Sequence, residues 1–265
     1  MAHPLLEVSE LSRSFGGICA VNSLSFRIEA GGITGLIGPN GAGKTTVFNL
    51  ITAVYRPSSG AILLDGHDLA GKRPYEVVRA GVARTFQNIR LFGRLTCLEN
   101  VMTPICARGA HGRFAALFRT PSVRNEERRA RESALSTLDA LGISDTANLI
   151  ASTLPYGLQR KLEIARALAC NPRLLLLDEP AAGMNDAEMS ELGDTIVRVR
   201  QNFDVTIILI EHHIKLVMGI CTNLVVMERG ALLAEGKPND IQNDERVVAA
   251  YLGRPRASGG KKRHV

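Results

Sequence analysis

Leu24, Phe26 and Ile28 alternate with Ser25, Arg27 and Glu29. A period of two predicts a strand with one face buried. Residues 61–64 are mostly apolar and end on Asp65-Gly66, a turn signal. Residues 33–37 form a short apolar run that stops at Gly38-Pro39. Immediately afterwards Val47, Leu50, Ile51 and Val54 recur at i, i+3, i+4 and i+7, the spacing of one helix face. The order is strand, Gly-rich loop, helix.

The pattern changes over residues 96–153. Arg113, Arg119, Arg124, Arg128, Arg129 and Arg131 interleave with Glu126, Glu127 and Glu132, and Ala134, Leu135, Leu138 and Leu141 follow at helical spacing. This predicts a helical subdomain with a solvated, mixed-charge face. Helix and strand then alternate again. Leu158, Leu162, Ala165 and Ala169 mark a helix, and residues 173–177 and 205–210 read as buried strands. Residues 224–227 and 231–234 flank Glu228-Arg229-Gly230 as a hairpin. Continuous apolar strands between helices define an α/β protein with a mainly parallel sheet, to which the early alternating strands add an antiparallel layer. No internal repeat is visible. The expected organisation is one domain over residues 5–253, followed by a basic, disordered tail over 254–265.

Composition narrows the classes. The chain has 265 residues, 45% hydrophobic and 22% charged, which suits a packed globular domain. Trp is absent and aromatics are 5%, which argues against a stacking surface for single-stranded nucleic acid. The net charge of +6 suits nucleic acid, an anionic membrane surface or a phosphorylated ligand, and does not choose among them. Five cysteines at wide spacings, with no CxxC, fit free thiols in a reducing compartment. The start of the chain lacks a signal-peptide pattern, and no apolar run approaches the roughly 20 residues of a membrane span. A soluble cytoplasmic protein is expected, able to dock on a membrane partner.

The chemistry starts at residues 38–46: Gly38, Pro39, Asn40, Gly41, Ala42, Gly43, Lys44, Thr45, Thr46. They match G-x-x-x-x-G-K-[ST], a loop whose backbone N–H groups cradle phosphates. Lys44 reaches the β- and γ-phosphates, and the Thr45 hydroxyl suits Mg²⁺. ATP and Mg²⁺ are therefore the expected ligands. The second element is Asp178-Glu179 after the apolar run 174–177. Asp178 would hold Mg²⁺, and Glu179 would polarise the attacking water. A polar sensor of the γ-phosphate is also needed, and Gln87 and His212 are candidates.

Together these residues resemble the nucleotide-binding subunit of ABC transporters, over about residues 5–253. GPNGAGKTT resembles the family's Walker A loop and LLLLDEP its Walker B strand. By that resemblance Gln87, in RTFQNIRLF, is the Q-loop glutamine that senses Mg²⁺ and nucleotide, and His212, in ILIEHH, is the switch histidine. Ala182-Gly183-Met184-Asn185 takes the D-loop position, and Phe15 the place of an aromatic that stacks on adenine. Leu154, Pro155, Tyr156 and Gly157 stand where the family has its L-S-G-G-Q signature, which closes over ATP held by a second subunit. Pro155 offers neither a hydroxyl nor an N–H. Either that composite site is weakened within an asymmetric pair, or this is an ordinary subfamily variant.

The windows LPYGLQRKLEIARAL, GVARTFQNIRLF, DEPAAGMN, LIEHHIKLVMGI and VVAAYLG resemble in particular the ATP-binding subunit of branched-chain (hydrophobic) amino acid importers. His213 departs from that pattern, where Asp is usual. The resemblance implies an ATPase on the cytoplasmic face of the inner membrane. Its partners would be a second ATP-binding subunit (of another or the same kind), permease subunits and, indirectly, a periplasmic binding protein, with no nucleic acid. Residues 88–100, with Leu91, Phe92 and Leu95, would meet a permease. The competing expectations are an ATPase of lipid or lipopolysaccharide export and a soluble ABC ATPase of translation or DNA repair. A Ser-Gly-Gly signature would favour the former, and two nucleotide domains or a long coiled-coil insertion the latter.

Overall fold

The computed structural model describes residues 4–107 and 121–252. Ten strands are described: β1 (Leu6–Phe15), β2 (Ile18–Ile28), β3 (Ile33–Ile37), β4 (Ser59–Leu64), β5 (His67–Asp68), β6 (Val82–Arg84), β7 (Leu174–Asp178), β8 (Thr206–Ile210), β9 (Asn223–Glu228) and β10 (Ala231–Gly236). The helices are α1 (Lys44–Ile51), α2 (Pro74–Arg79), α3 (Cys97–Ala107), α4 (Pro121–Ala140), α5 (Tyr156–Leu168), α6 (Asp186–Phe203), α7 (Ile214–Ile220), α8 (Pro238–Gln242) and α9 (Glu245–Leu252). Arg113, Arg119 and the 254–265 tail lie outside the described residues.

Two sheets form. The first is antiparallel, in the order β2-β1-β4-β5. The second has the order β10-β9-β3-β8-β7-β6; it is parallel except where β10 turns back on β9. The parallel strands are apolar on both faces because both faces are covered. Leu174, Leu176, Ile208 and Ile210 join the core shared with α1 and the antiparallel sheet. Leu175, Leu177, Ile207 and Leu209 point the other way, into the core with α5, α6 and α7. Each fully buried Leu or Ile contributes roughly 1.5–3 kcal/mol by leaving water.

The α1 face stops short of expectation. Ala53 takes a left-handed φ of 55°, and Val54 leaves the helix at 52% exposure. The Thr52 hydroxyl donates to the Phe48 carbonyl, while the Val54 and Tyr55 amides fold back on the Asn49 carbonyl. These bonds close the helix one turn early. In α4, by contrast, Ala134 and Leu138 are buried beside Leu141, and Arg124, Arg128, Arg129 and Arg131 face solvent. Among the described residues no helix is long and apolar enough to cross a membrane.

Register is what positions the site. Ile210 lies beside both Leu36 and Asp178, so β3, β7 and β8 end level with one another. The loops after β3, β6, β7 and β8 all leave the same, carboxyl edge of the sheet. In an open α/β sheet that edge is where ligands bind.

Candidate functional site

The loop after β3 curls back and starts α1 at Lys44. Gly38 (φ 150°) and Gly43 (φ 97°) adopt conformations closed to residues with a Cβ. A Cβ on Gly38 would run into the Met227 carbonyl oxygen, and one on Gly43 into that of Ala20. The loop can therefore lie against β9 and β2 only as glycine. Gly43 caps the eight-residue α1, whose first-turn amides face the loop. Lys44 is buried; its Nζ donates to the carbonyls of Gly38 at 2.7 Å and Pro39 at 3.0 Å. Burial lowers its pKa, while Glu179 and Asp178 pull it back up. A cavity of about 240 Å³ opens here, lined by Ala20, Asn40 to Thr46, Glu179 and His212.

Asp178 ends β7 almost fully buried, and its Oδ2 accepts from Arg84 Nη2 at 2.7 Å. Burial pushes its carboxyl pKa up, and the Arg84 guanidinium opposes the rise. Arg84 also donates to Asn49 Oδ1 at 2.7 Å, so one side chain ties β6, β7 and α1 together. Glu179 follows in the left-handed region, φ 47°. Its amide still donates to the Ile210 carbonyl at 2.9 Å, continuing the ladder, while its side chain turns towards the cavity. Glu179 Oε2 accepts from Gln87 Nε2 at 2.6 Å, and Oε1 meets His212 Nε2 at 3.0 Å. An ionised carboxylate only accepts, so His212 carries its proton on Nε2 in this pairing. Thus Lys44, Glu179 and His212, widely separated in sequence, line one cavity, and Gln87 joins them through its bond to Glu179.

Two residues of this constellation escaped the sequence reading. Arg84 was hidden in a three-residue strand; its signal was a lone cation amid apolar neighbours, three residues before Gln87. Glu211 is 2% exposed, with its carboxylate accepting from the amides of Ala181 (2.7 Å) and His212 (3.0 Å). It holds together the loops carrying Glu179 and His212. His213 Nδ1 lies 3.0 Å from Glu211 Oε2, so this imidazole makes a local bond at the position where the resemblance has Asp.

Other expected site residues do not line this cavity. Phe15 does not line the cavity; it packs edge-on against Tyr55 at 5.0 Å, with the Arg13 guanidinium 4.7 Å from its ring centre. Leu154, Pro155, Tyr156 and Gly157 sit at the start of α5, also outside the cavity, with Pro155 as its N-cap. Asn185 caps α6, accepting from the Ala187 and Glu188 amides at 3.0 Å. As to a metal, Thr45, Asp178 and Gln87 each carry an oxygen donor of the hard kind that Mg²⁺ takes. The described residues hold no group of three or more His, Cys, Asp or Glu placed to bind a metal.

A glycine loop closing on a helix N-terminus, beside a strand-end carboxylate pair, defines a P-loop site for a nucleoside triphosphate. Comparison with known proteins agrees. The ABC transporter family profile matches residues 21–182, and that of the branched-chain amino acid ATP-binding cassette transporter matches 231–257. The chain is 46% identical to the high-affinity branched-chain amino acid transport ATP-binding protein BraF of Pseudomonas aeruginosa over 253 residues, covering 96% of this chain and 99% of the relative. It is 45% identical to LivG of Escherichia coli, a protein of the same description, with the same coverage. Among solved structures, the ADP conformation of MJ1267, an ATP-binding cassette of an ABC transporter, superposes with a TM-score of 0.82 at 29% identity, covering 95% of this chain and 99% of that one. The chain belongs to the ABC transporter ATP-binding family and is an ATPase of that family.

Proposed function

We propose that this chain hydrolyses MgATP to drive uptake of branched-chain or other hydrophobic amino acids, as one ATPase subunit beneath two permeases on the cytoplasmic face of the inner membrane. The observation that carries the hydrolytic role is the pairing of Glu179 with both Gln87 and His212 beside the phosphate loop. The importer assignment is supported by the names of the relatives and by the matched segment 231–257.

Lys44 and the loop amides would bind the β- and γ-phosphates. Thr45, Asp178 and Gln87 would hold Mg²⁺, which when bound offsets charge on the phosphate oxygens. Glu179 accepts on both oxygens yet has lone pairs left for a water, which it would orient in line with the γ-phosphorus. His212, with its proton on Nε2, can stabilise charge developing on the γ-phosphate. Pro155 lacks both the hydroxyl and the backbone N–H of a signature serine, leaving the Tyr156 and Gly157 amides at the start of α5 to face a partner's nucleotide. A second ATPase subunit of another kind would then offer a fuller signature to this chain's own phosphate loop.

Glu179→Gln is the test. In the assembled transporter this variant should bind ATP like the parent and hydrolyse it at least about a hundredfold more slowly, with labelled leucine uptake falling in parallel. Full turnover in Glu179→Gln would rule out the general-base role. Normal ATPase activity without leucine uptake would rule out leucine as the solute.

A further inference from the structure

We propose that Arg160 and Glu163, one turn apart on α5, are positioning residues that hold the Gln87 segment against Glu179, so that the signature helix and the water-polarising group move together. The inference rests on the roles given above to Gln87 and Glu179.

Beyond β6 the chain leaves the sheet. The Thr85 amide still donates to the Leu176 carbonyl, but among the described residues no backbone–backbone hydrogen bond holds residues 86–90. Two buried side chains take over that task. Arg160 Nη1 donates to the Phe86 carbonyl at 2.8 Å and to Glu163 Oε2 at 2.9 Å. Its Nη2 donates to the Gln87 carbonyl at 2.9 Å and to Tyr156 Oη at 2.8 Å. Glu163 Oε1 accepts from the amides of Phe86 at 3.4 Å and Arg90 at 3.2 Å. The Arg160 and Glu163 side chains are 0% and 1% exposed.

This arrangement has a direction. One guanidinium nitrogen bonds both Tyr156, the first residue of α5, and the carbonyl of Gln87. The other end of Gln87 donates to Glu179 at 2.6 Å. A single residue therefore bridges the helix that begins at the signature and the carboxylate beside the phosphate loop. Only a planar fork addresses two successive carbonyls and a carboxylate at once; a Lys ammonium is a point donor. A buried ion pair is a weak source of stability compared with apolar packing, which agrees with its use here to fix geometry.

The test compares Glu163→Gln and Arg160→Lys with the parent. In the assembled transporter both should lower kcat about tenfold while KM for MgATP stays within about threefold. In the isolated full-length chain, affinity for trinitrophenyl-ATP should be unchanged, and hydrogen exchange of the backbone amides over residues 86–90 should speed up. Unchanged kcat with unchanged exchange would overturn the proposal, as would kcat and nucleotide affinity falling in step, which marks general damage. Should Arg160→Lys fail to fold, the isosteric Glu163→Gln decides alone. A parent transporter unable to hydrolyse MgATP would instead overturn the reading on which the proposal rests.

Discussion

Replacing Arg84 by Met keeps most of the side-chain volume and removes only the charge and its donors. Arg84 and Asp178 are 7% and 4% exposed and 2.7 Å apart, so the change strands a carboxylate in the interior. Breaking one side of a buried pair costs about 3–5 kcal/mol. For a chain of this size each kcal/mol shifts the melting temperature by about 2–4 °C, so the midpoint should fall by roughly 6–20 °C. Asp178→Asn removes the stranded charge. The double variant should therefore be more stable than the sum of the two single losses, with a coupling of at least about 1 kcal/mol in urea unfolding. The pH dependence has a definite sign. Burial already raises the Asp178 carboxyl pKa, and loss of Arg84 raises it further. A pKa raised on folding favours the protonated form, so the associated stability is present at low pH and lost as pH rises through the folded value. The deficit of Arg84→Met relative to the parent should hence be largest near neutral pH and shrink on acidification. A loss under about 1 kcal/mol, strict additivity with Asp178→Asn, or a deficit that grows towards acid would refute the reasoning.

Gly43→Ala forces a Cβ into the Ala20 carbonyl at a φ of 97°; nucleotide affinity should be lost and stability reduced by about 1–3 kcal/mol, seen by calorimetry with and without ATP. Lys44→Ala removes a cation lining the cavity, so trinitrophenyl-ATP binding should drop at least about tenfold while urea unfolding changes little, because the buried ammonium was itself costly. Burial pushes the Cys221 thiol up to about 12 and raises that of Cys97, so both should resist Ellman's reagent at pH 8 in the native chain and react only on unfolding, whereas the exposed Cys19 reacts at once.

Much of this protein was legible in the order of its residues, because the signals were local. Period-two and continuous apolar runs located the strands around 24–28, 33–37, 173–177 and 205–210, since the faces they bury are set by the backbone repeat alone. The phosphate loop was equally plain: Gly38, Gly43 and Lys44 must be contiguous for amides and ammonium to surround one anion. Gln87 and His212 were weaker, as a lone polar residue carries no period, and family resemblance supplied their roles. What tertiary structure alone decided was which distant groups share a proton or a charge. Level ends of β3, β7 and β8 bring Glu179 between Gln87 and His212. The Arg84–Asp178 pair and the buried Glu211 carboxylate arise from the same convergence. So does the grip of Arg160 and Glu163 on residues 86–90. Burial and pairing depend on neighbours far away in the chain, and no local pattern encodes a neighbour that the sheet register has yet to choose.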